Sequence, residues 1–385
     1  MRLISVRALA ALLFLLSLTL TSCGGGNSSG GGTPPPPPPQ PTEFLFGAGD
    51  NTVLAFTIDT QTGLPTQTAS VSGNQGGFGI VANPSVTFLY ADDEVADGID
   101  AFSVSSSGAL SPVAGSPFPM PSGWLGLYVD SIAIDPAGKF LYVPNAAANQ
   151  VVGFTVDGAS GALGSIPGSP FATGASPQEA VVHPSGKFLY VSDGNDPQGG
   201  ISAFTIDSSS GAPSSISGSP FPTMTGGGPD GLLIDPTGKF LYAALSFSNA
   251  VAAFTIDSST GALTQVSGSP FAPTLTGGAY PLLYSIAIAP SGKYLYALGS
   301  LDTEIYGFTI DGASGALATM PNSPFNISVL TYMSNLVVDP SGKFLYIGGA
   351  GSVFYMSIDG ATGNLAPVSS PFIAYTHGLA VAQAK

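Results

Sequence analysis

The sequence predicts an all-β fold, a seven-bladed β-propeller of four-stranded blades whose ring is closed by its C-terminal strand. An aromatic-Leu-aromatic signature recurs at Phe44, Phe88, Phe140, Phe188, Phe240, Tyr294 and Phe344, spaced 44 to 54 residues apart. Such a period suits propeller blades. No stretch beyond the signature's first copy sustains a helical apolar repeat, which leaves strands as the regular element. The first copy also lacks an initial strand, and a strand of that type appears only at the end, at residues 378–381.

In chain order, Arg2 and Arg7 precede an apolar run over residues 8–20, which ends in Leu20-Thr21-Ser22-Cys23. The run is too short for a transmembrane helix and reads as a secretory signal peptide. Its ending resembles the lipobox of bacterial lipoproteins. That resemblance implies lipidation at Cys23 and a membrane anchor in the bacterial cell envelope, expected at the outer membrane. Cys23 is the only cysteine, so no intramolecular disulfide staples the domain. Residues 24–42 are glycine, serine and a run of six prolines, a composition that cannot bury a core and serves as a tether. The propeller is expected over residues 43–385.

One blade can be read strand by strand. Residues 131–134 are a short apolar strand, and Asp135-Pro136-Ala137-Gly138 has turn chemistry. Residues 140–143 are apolar at every position, so both faces of that strand are expected to be buried between neighbouring blades. A third strand follows at residues 151–156, a second turn from Asp157 to Gly161, and a fourth strand at residues 162–171. Proline in that last segment fits an outer edge, where no ladder bond needs its N–H.

Charged residues make up 8% of the chain and the formal charge is −15. Beyond Cys23 there is no arginine, and the lysines are Lys139, Lys187, Lys239, Lys293, Lys343 and Lys385. Nucleic acid is excluded as a partner, because it needs a basic surface. Five of the lysines fall in the turn between the first two strands of a blade. The opposite face collects Asp50, Asp92, Asp93, Glu94, Asp97, Asp100, Asp130, Glu179, Asp193, Asp196, Asp230, Asp302 and Glu304, and its field is expected to be negative.

The repeated turn and strand, as in residues 135–142 and 183–190, together with Val251-Ala-Ala-Phe254-Thr-Ile-Asp257 and Gly261-Ala-Leu263, resemble the seven-bladed propeller lactonase family. That family includes 6-phosphogluconolactonase-like proteins and borders on the YVTN-repeat surface propellers. The resemblance covers residues 43–385 and implies the fold together with lactone hydrolysis. Members tend to carry His and Arg where the innermost strands begin. Here those stretches read Tyr128-Val129-Asp130-Ser131 and Ser176-Pro177-Gln178-Glu179, and without arginine no fork can grip a phosphate.

Aligning the innermost strands by their turns places Phe78, Asp130, Gln178, Asp230, Tyr284, Ser334 and His377 at one position. Gly79, Ser131, Glu179, Gly231, Ser285, Asn335 and Gly378 follow at the next. Asp130, Glu179 and Asp230 fall on consecutive blades and are a candidate ligand set for Ca²⁺ or another divalent cation. Glu179 and His377 are candidate catalytic groups, and Gln178, Tyr284, Asn335 and Trp124 are candidate ligand-binding groups. Strand parity sends Gln178 and Glu179 to opposite sides, so one of them misses the channel. Two functions are expected from this face. One is an extracytoplasmic binding or scaffold module for a protein, carbohydrate or small neutral ligand. The other is a hydrolase of a neutral lactone or sugar derivative.

Overall fold

The computed structural model describes residues 42–49, 51–73, 77–121, 131–194, 199–223, 227–275, 282–299, 304–327, 333–349, 352–368 and 376–384. The signal-peptide and tether expectations, Cys23 included, lie outside these residues. Among those described, seven antiparallel sheets follow one another along the chain, and there is no helix. The fold class is the one that the repeats predict.

Blade 4 shows the pattern. Pro177–Val182 is innermost, followed outward by Phe188–Asp193, Gly200–Ile206 and Pro213–Ser215. Every residue of Phe188–Asp193 is buried, and the same holds for Phe88–Asp93, Phe140–Asn145, Phe240–Leu245, Tyr294–Gly299 and Phe344–Gly349. The all-apolar second strand of the sequence is therefore packed on both faces. Apolar clusters fill the gaps between successive blades, as where Tyr142 and Val151 meet Leu189 and Val191.

The turns are built by side chains that satisfy the backbone. Asp135 Oδ2 accepts the N–H of Ala137 at 3.1 Å, and Asp157 Oδ1 accepts that of Ala159 at 3.1 Å, as Asx turns require. Gly161 sits at φ +77°, and a Cβ there would lie 2.3 Å from the Phe88 ring of the preceding blade. The glycine is needed for both conformation and close packing.

Adjacent blades are laced by a repeated bond. The hydroxyls of Tyr90, Tyr142, Tyr190, Tyr242 and Tyr296 donate to the carbonyls of Gly161, Gly211, Gly261, Gly315 and Gly363 at 2.7–3.0 Å. Blade 1 has Phe46 at the tyrosine position. There Thr68 Oγ1 serves Gly108 O at 3.2 Å, sharing its hydroxyl with Ala55 O.

Two features differ from the sequence reading or sharpen it. The outer strand expected over residues 162–171 is only Leu163–Ser165, and Phe171–Ala172 folds back onto Gln150–Val151. The cause is Pro167-Gly168-Ser169-Pro170, which interrupts the ladder, while Ser169 Oγ accepts the Gly153 N–H at 2.9 Å. The closing strand is Gly378–Gln383, paired antiparallel with Glu43–Gly49 from Ala48↔Gly378 to Glu43↔Gln383. It completes the blade that Thr52–Ile58 and Pro65–Ser72 continue outward.

Candidate active site in the central channel

The innermost strands surround a channel, and in blades 4 to 7 each departs from ladder register near its start. The shifts fall between Pro177 and Ala180, Pro229 and Leu232, Leu283 and Ser285, and Met333 and Asn335. Bulges of this kind re-aim side chains and release backbone N–H groups from the ladder. Beside them lies a cavity of about 160 Å³ to which every blade contributes, among others through Leu379, Ile80, Ser131, Glu179, Leu232, Ser285 and Asn335.

Strand parity is resolved at Gln178 and Glu179. Glu179 lines the cavity, whereas Gln178 is buried away from it, and its Nε2 donates to Ser176 Oγ at 3.1 Å. The Glu179 carboxylate is fixed from the next blade, since its Oε2 accepts the N–H of Leu232 at 2.7 Å. Its backbone N–H donates to Ser192 Oγ at 3.0 Å, and that hydroxyl also lies 3.0 Å from Asp230 O. Gly231 lets the innermost strand of blade 6 come close, because a Cβ there would sit 2.5 Å from Tyr284 O.

On the other side of the ring, Tyr284 lines the cavity and its hydroxyl donates to Met333 O. Ser334 Oγ reaches Thr376 O at 3.3 Å. Asn335 also lines the cavity, and its Oδ1 is buried with no hydrogen-bond partner. Ser131 and Ser285 add hydroxyls to the wall. No lysine, arginine or histidine is among the described lining residues.

The remaining candidates sit elsewhere. Asp230 is not a lining residue; one of its oxygens would lie 3.2 Å from a Cβ on Gly194. Burial pushes its carboxyl up to about 6, against a hydrogen bond with Ser246 that pulls it down. The His377 ring lies 4.9 Å from that of Phe78, which does line the cavity. The backbone N–H of His377 donates to Ala48 O at 2.6 Å. Nearby Glu94 is raised by burial, with His377 acting in the opposite direction. Asp130 and Trp124 lie outside the described residues. Glu179 and Asp230 occupy different surroundings, and among the described residues no group of three His, Cys, Asp or Glu side chains is gathered to hold a metal ion.

Four carboxylates of the acidic face are withdrawn from solvent. Asp92, Asp93, Asp100 and Asp193 are at most 6% exposed. Asp92 Oδ1 accepts the Gly79 N–H at 2.7 Å, Asp93 Oδ1 caps Val95 and Ala96, and Asp193 takes the Ser202 hydroxyl at 3.0 Å. They hold the loop ends of blades 2 and 4 together. Charge counting along the sequence could not separate them from displayed carboxylates, because their burial depends on how strands and loops pack around them.

A family model described as "Lactonase, 7-bladed beta-propeller" matches residues 41–219, 165–276 and 222–380. The chain belongs to the seven-bladed β-propeller lactonase family. Among solved structures, this lactonase-family propeller is similar to a 6-phosphogluconolactonase-like protein of Bacteroides uniformis. That match has 20% identity and a TM-score of 0.74 over 89% of this chain and 100% of the other. It is also similar to the periplasmic gluconolactonase PpgL of Pseudomonas aeruginosa, with 17% identity and a TM-score of 0.73 over 89% and 99% of the two chains. At these identities the structural likenesses show the fold alone. No curated protein matches this lactonase-family chain.

Proposed function

We propose that the protein hydrolyses an uncharged lactone in the central channel, with Glu179 as the general base. The observation that carries this reading is the Glu179 carboxylate, fixed by the Leu232 N–H in a small cavity otherwise lined by hydroxyl, amide and apolar groups. In the reaction, Glu179 takes a proton from water as the water oxygen bonds to the lactone carbonyl carbon. The tetrahedral intermediate then expels the ring oxygen, which recovers the proton from Glu179, and a hydroxy acid results. At neutral pH that acid ionises. A negative surround repels the product anion and aids its release.

The same absence of cations argues against a phosphorylated substrate. The described lysines belong to turns at the far end of the blades, as Lys343 does, reaching Thr60 O at 3.4 Å. The likeness to a periplasmic gluconolactonase and the lipobox-like Cys23 support a site of action outside the cytoplasm, on a membrane tether. A second reading, docking of a protein partner on the channel-mouth face, is favoured by Val95 and Phe247. These apolar side chains are 68% and 58% exposed on loops of that face.

The test is proton release from a panel of uncharged five- and six-membered lactones, with 6-phosphogluconolactone as the counter-probe. Turnover of the uncharged lactones with no preference for the phosphorylated one is expected. No turnover of any would leave the partner-docking reading.

A further inference from the structure

We infer that the Ser285 hydroxyl donates to the lactone carbonyl oxygen and stabilises the oxyanion that forms there, an assignment that rests on the hydrolase reading of the channel.

The reaction at Glu179 needs such a donor. As Glu179 takes the proton of the attacking water, the new O–C bond pushes the carbonyl electron pair onto oxygen. Negative charge thus leaves the carboxylate and appears on the substrate, where a donor placed in advance is usually the largest single contribution to catalysis. The described lining residues include no lysine, arginine or histidine to meet that charge, but they do include the hydroxyls of Ser131, Tyr284, Ser285 and Ser334. Two of these are committed, since Tyr284 donates to Met333 O and Ser334 to Thr376 O. The hydroxyls of Ser131 and Ser285 have no hydrogen-bond partner among the described residues, and both residues are half-buried in the cavity wall rather than sealed behind it.

The direction in which Glu179 reaches separates these two serines. Its Oε2 accepts the Leu232 N–H, so the carboxylate leans from blade 4 onto blade 5. Ser131 pairs with Glu179 from blade 3, on the side from which the carboxylate turns away. Beside Leu232 on blade 5 is Gly231, where a Cβ would lie 3.3 Å from the Ser285 Cα. That glycine brings blade 6 close and places no side chain between. Ser285 is therefore the first side chain of its level beyond the carboxylate, with Asn335 one blade further round. A lactone lying against this part of the wall meets water at Glu179 and the Ser285 hydroxyl together. When the ring C–O bond breaks, its electron pair goes to the ring oxygen, which takes the proton from Glu179, and the carbonyl double bond re-forms. Ser285 keeps its own proton throughout.

The experiment uses the uncharged lactone of the panel that the wild type turns over best, together with its thionolactone, whose sulfur is a poor acceptor. Ser285→Ala is expected to lower kcat by roughly 100-fold while KM changes little, the pattern of a contact made in the transition state. Its melting temperature should match the wild type, because the lost hydroxyl makes no bond within the protein. The wild type is expected to disfavour the thionolactone by more than hydroxide alone does, and Ser285→Ala to lose that excess. A wild-type kcat in Ser285→Ala, or the same thionolactone penalty in both proteins, overturns the inference and leaves the hydrolase reading standing. No turnover of any lactone in the panel overturns both.

Discussion

The hydroxyl of Tyr346 in blade 7 donates to the carbonyl of Gly63 in blade 1 at 2.6 Å, joining residues 283 positions apart. The bond repeats, across the closing seam, the tyrosine lacing of the other blades. Tyr346→Phe keeps the ring and removes the donor, leaving a buried carbonyl unserved. We expect a loss of about 1–3 kcal/mol, read from the shift of the denaturant midpoint. An unchanged midpoint would show that the seam does not depend on this bond.

Thr68 takes the tyrosine's role where Phe46 lacks a hydroxyl. Thr68→Val preserves shape and removes the donor to Gly108 O. It should destabilise the protein by about 1–2 kcal/mol, whereas Thr57→Val, on a hydroxyl that makes one long bond of 3.5 Å to Thr66 O within the same blade, should fall within about 0.5 kcal/mol of the wild type. Equal effects from the two would remove the special status of Thr68.

Glu43 lies on the seam, 1% exposed, and accepts from Gln383 Nε2 at 3.0 Å. Burial, and then the Asp339 carboxylate, push it up to about 7 from the usual 4.5. The folded chain therefore holds a proton over that window that the unfolded chain gives up. Its contribution is complete below the unfolded value and is lost as pH rises through 7. Melting temperatures measured from pH 5 to pH 8 should fall more for the wild type than for Glu43→Gln, which does not ionise. Parallel curves would contradict the assignment.

If Cys23 carries the anchor, Cys23→Ala should move the protein from the membrane fraction to the soluble one, because residues 24–42 contain no other apolar segment. Continued sedimentation with membranes would remove the lipobox reading.

The ring, its closure and the parity of Gln178 and Glu179 were legible in the sequence, because each depends on a period: the blade repeat, a displaced strand and the alternation of a strand. What escaped depends on contacts between blades. The register shifts at Tyr284 and Ser334 carry no strong local signal, and the Leu232 N–H that fixes Glu179 lies 53 residues away. Asp92 and Asp193 read as surface charge until neighbouring loops bury them. Asn335 was legible as a channel position, but the burial of its Oδ1 without a partner was not.

The most direct measurement is the hydrolysis of uncharged lactones by Glu179→Gln beside the wild type. Glutamine keeps a carbonyl oxygen for the Leu232 N–H and removes the base. Turnover should therefore fall by roughly 100-fold or more with the melting temperature close to that of the wild type. A Glu179→Gln protein that hydrolyses these lactones at the wild-type rate would contradict a role for the channel carboxylate in the chemistry.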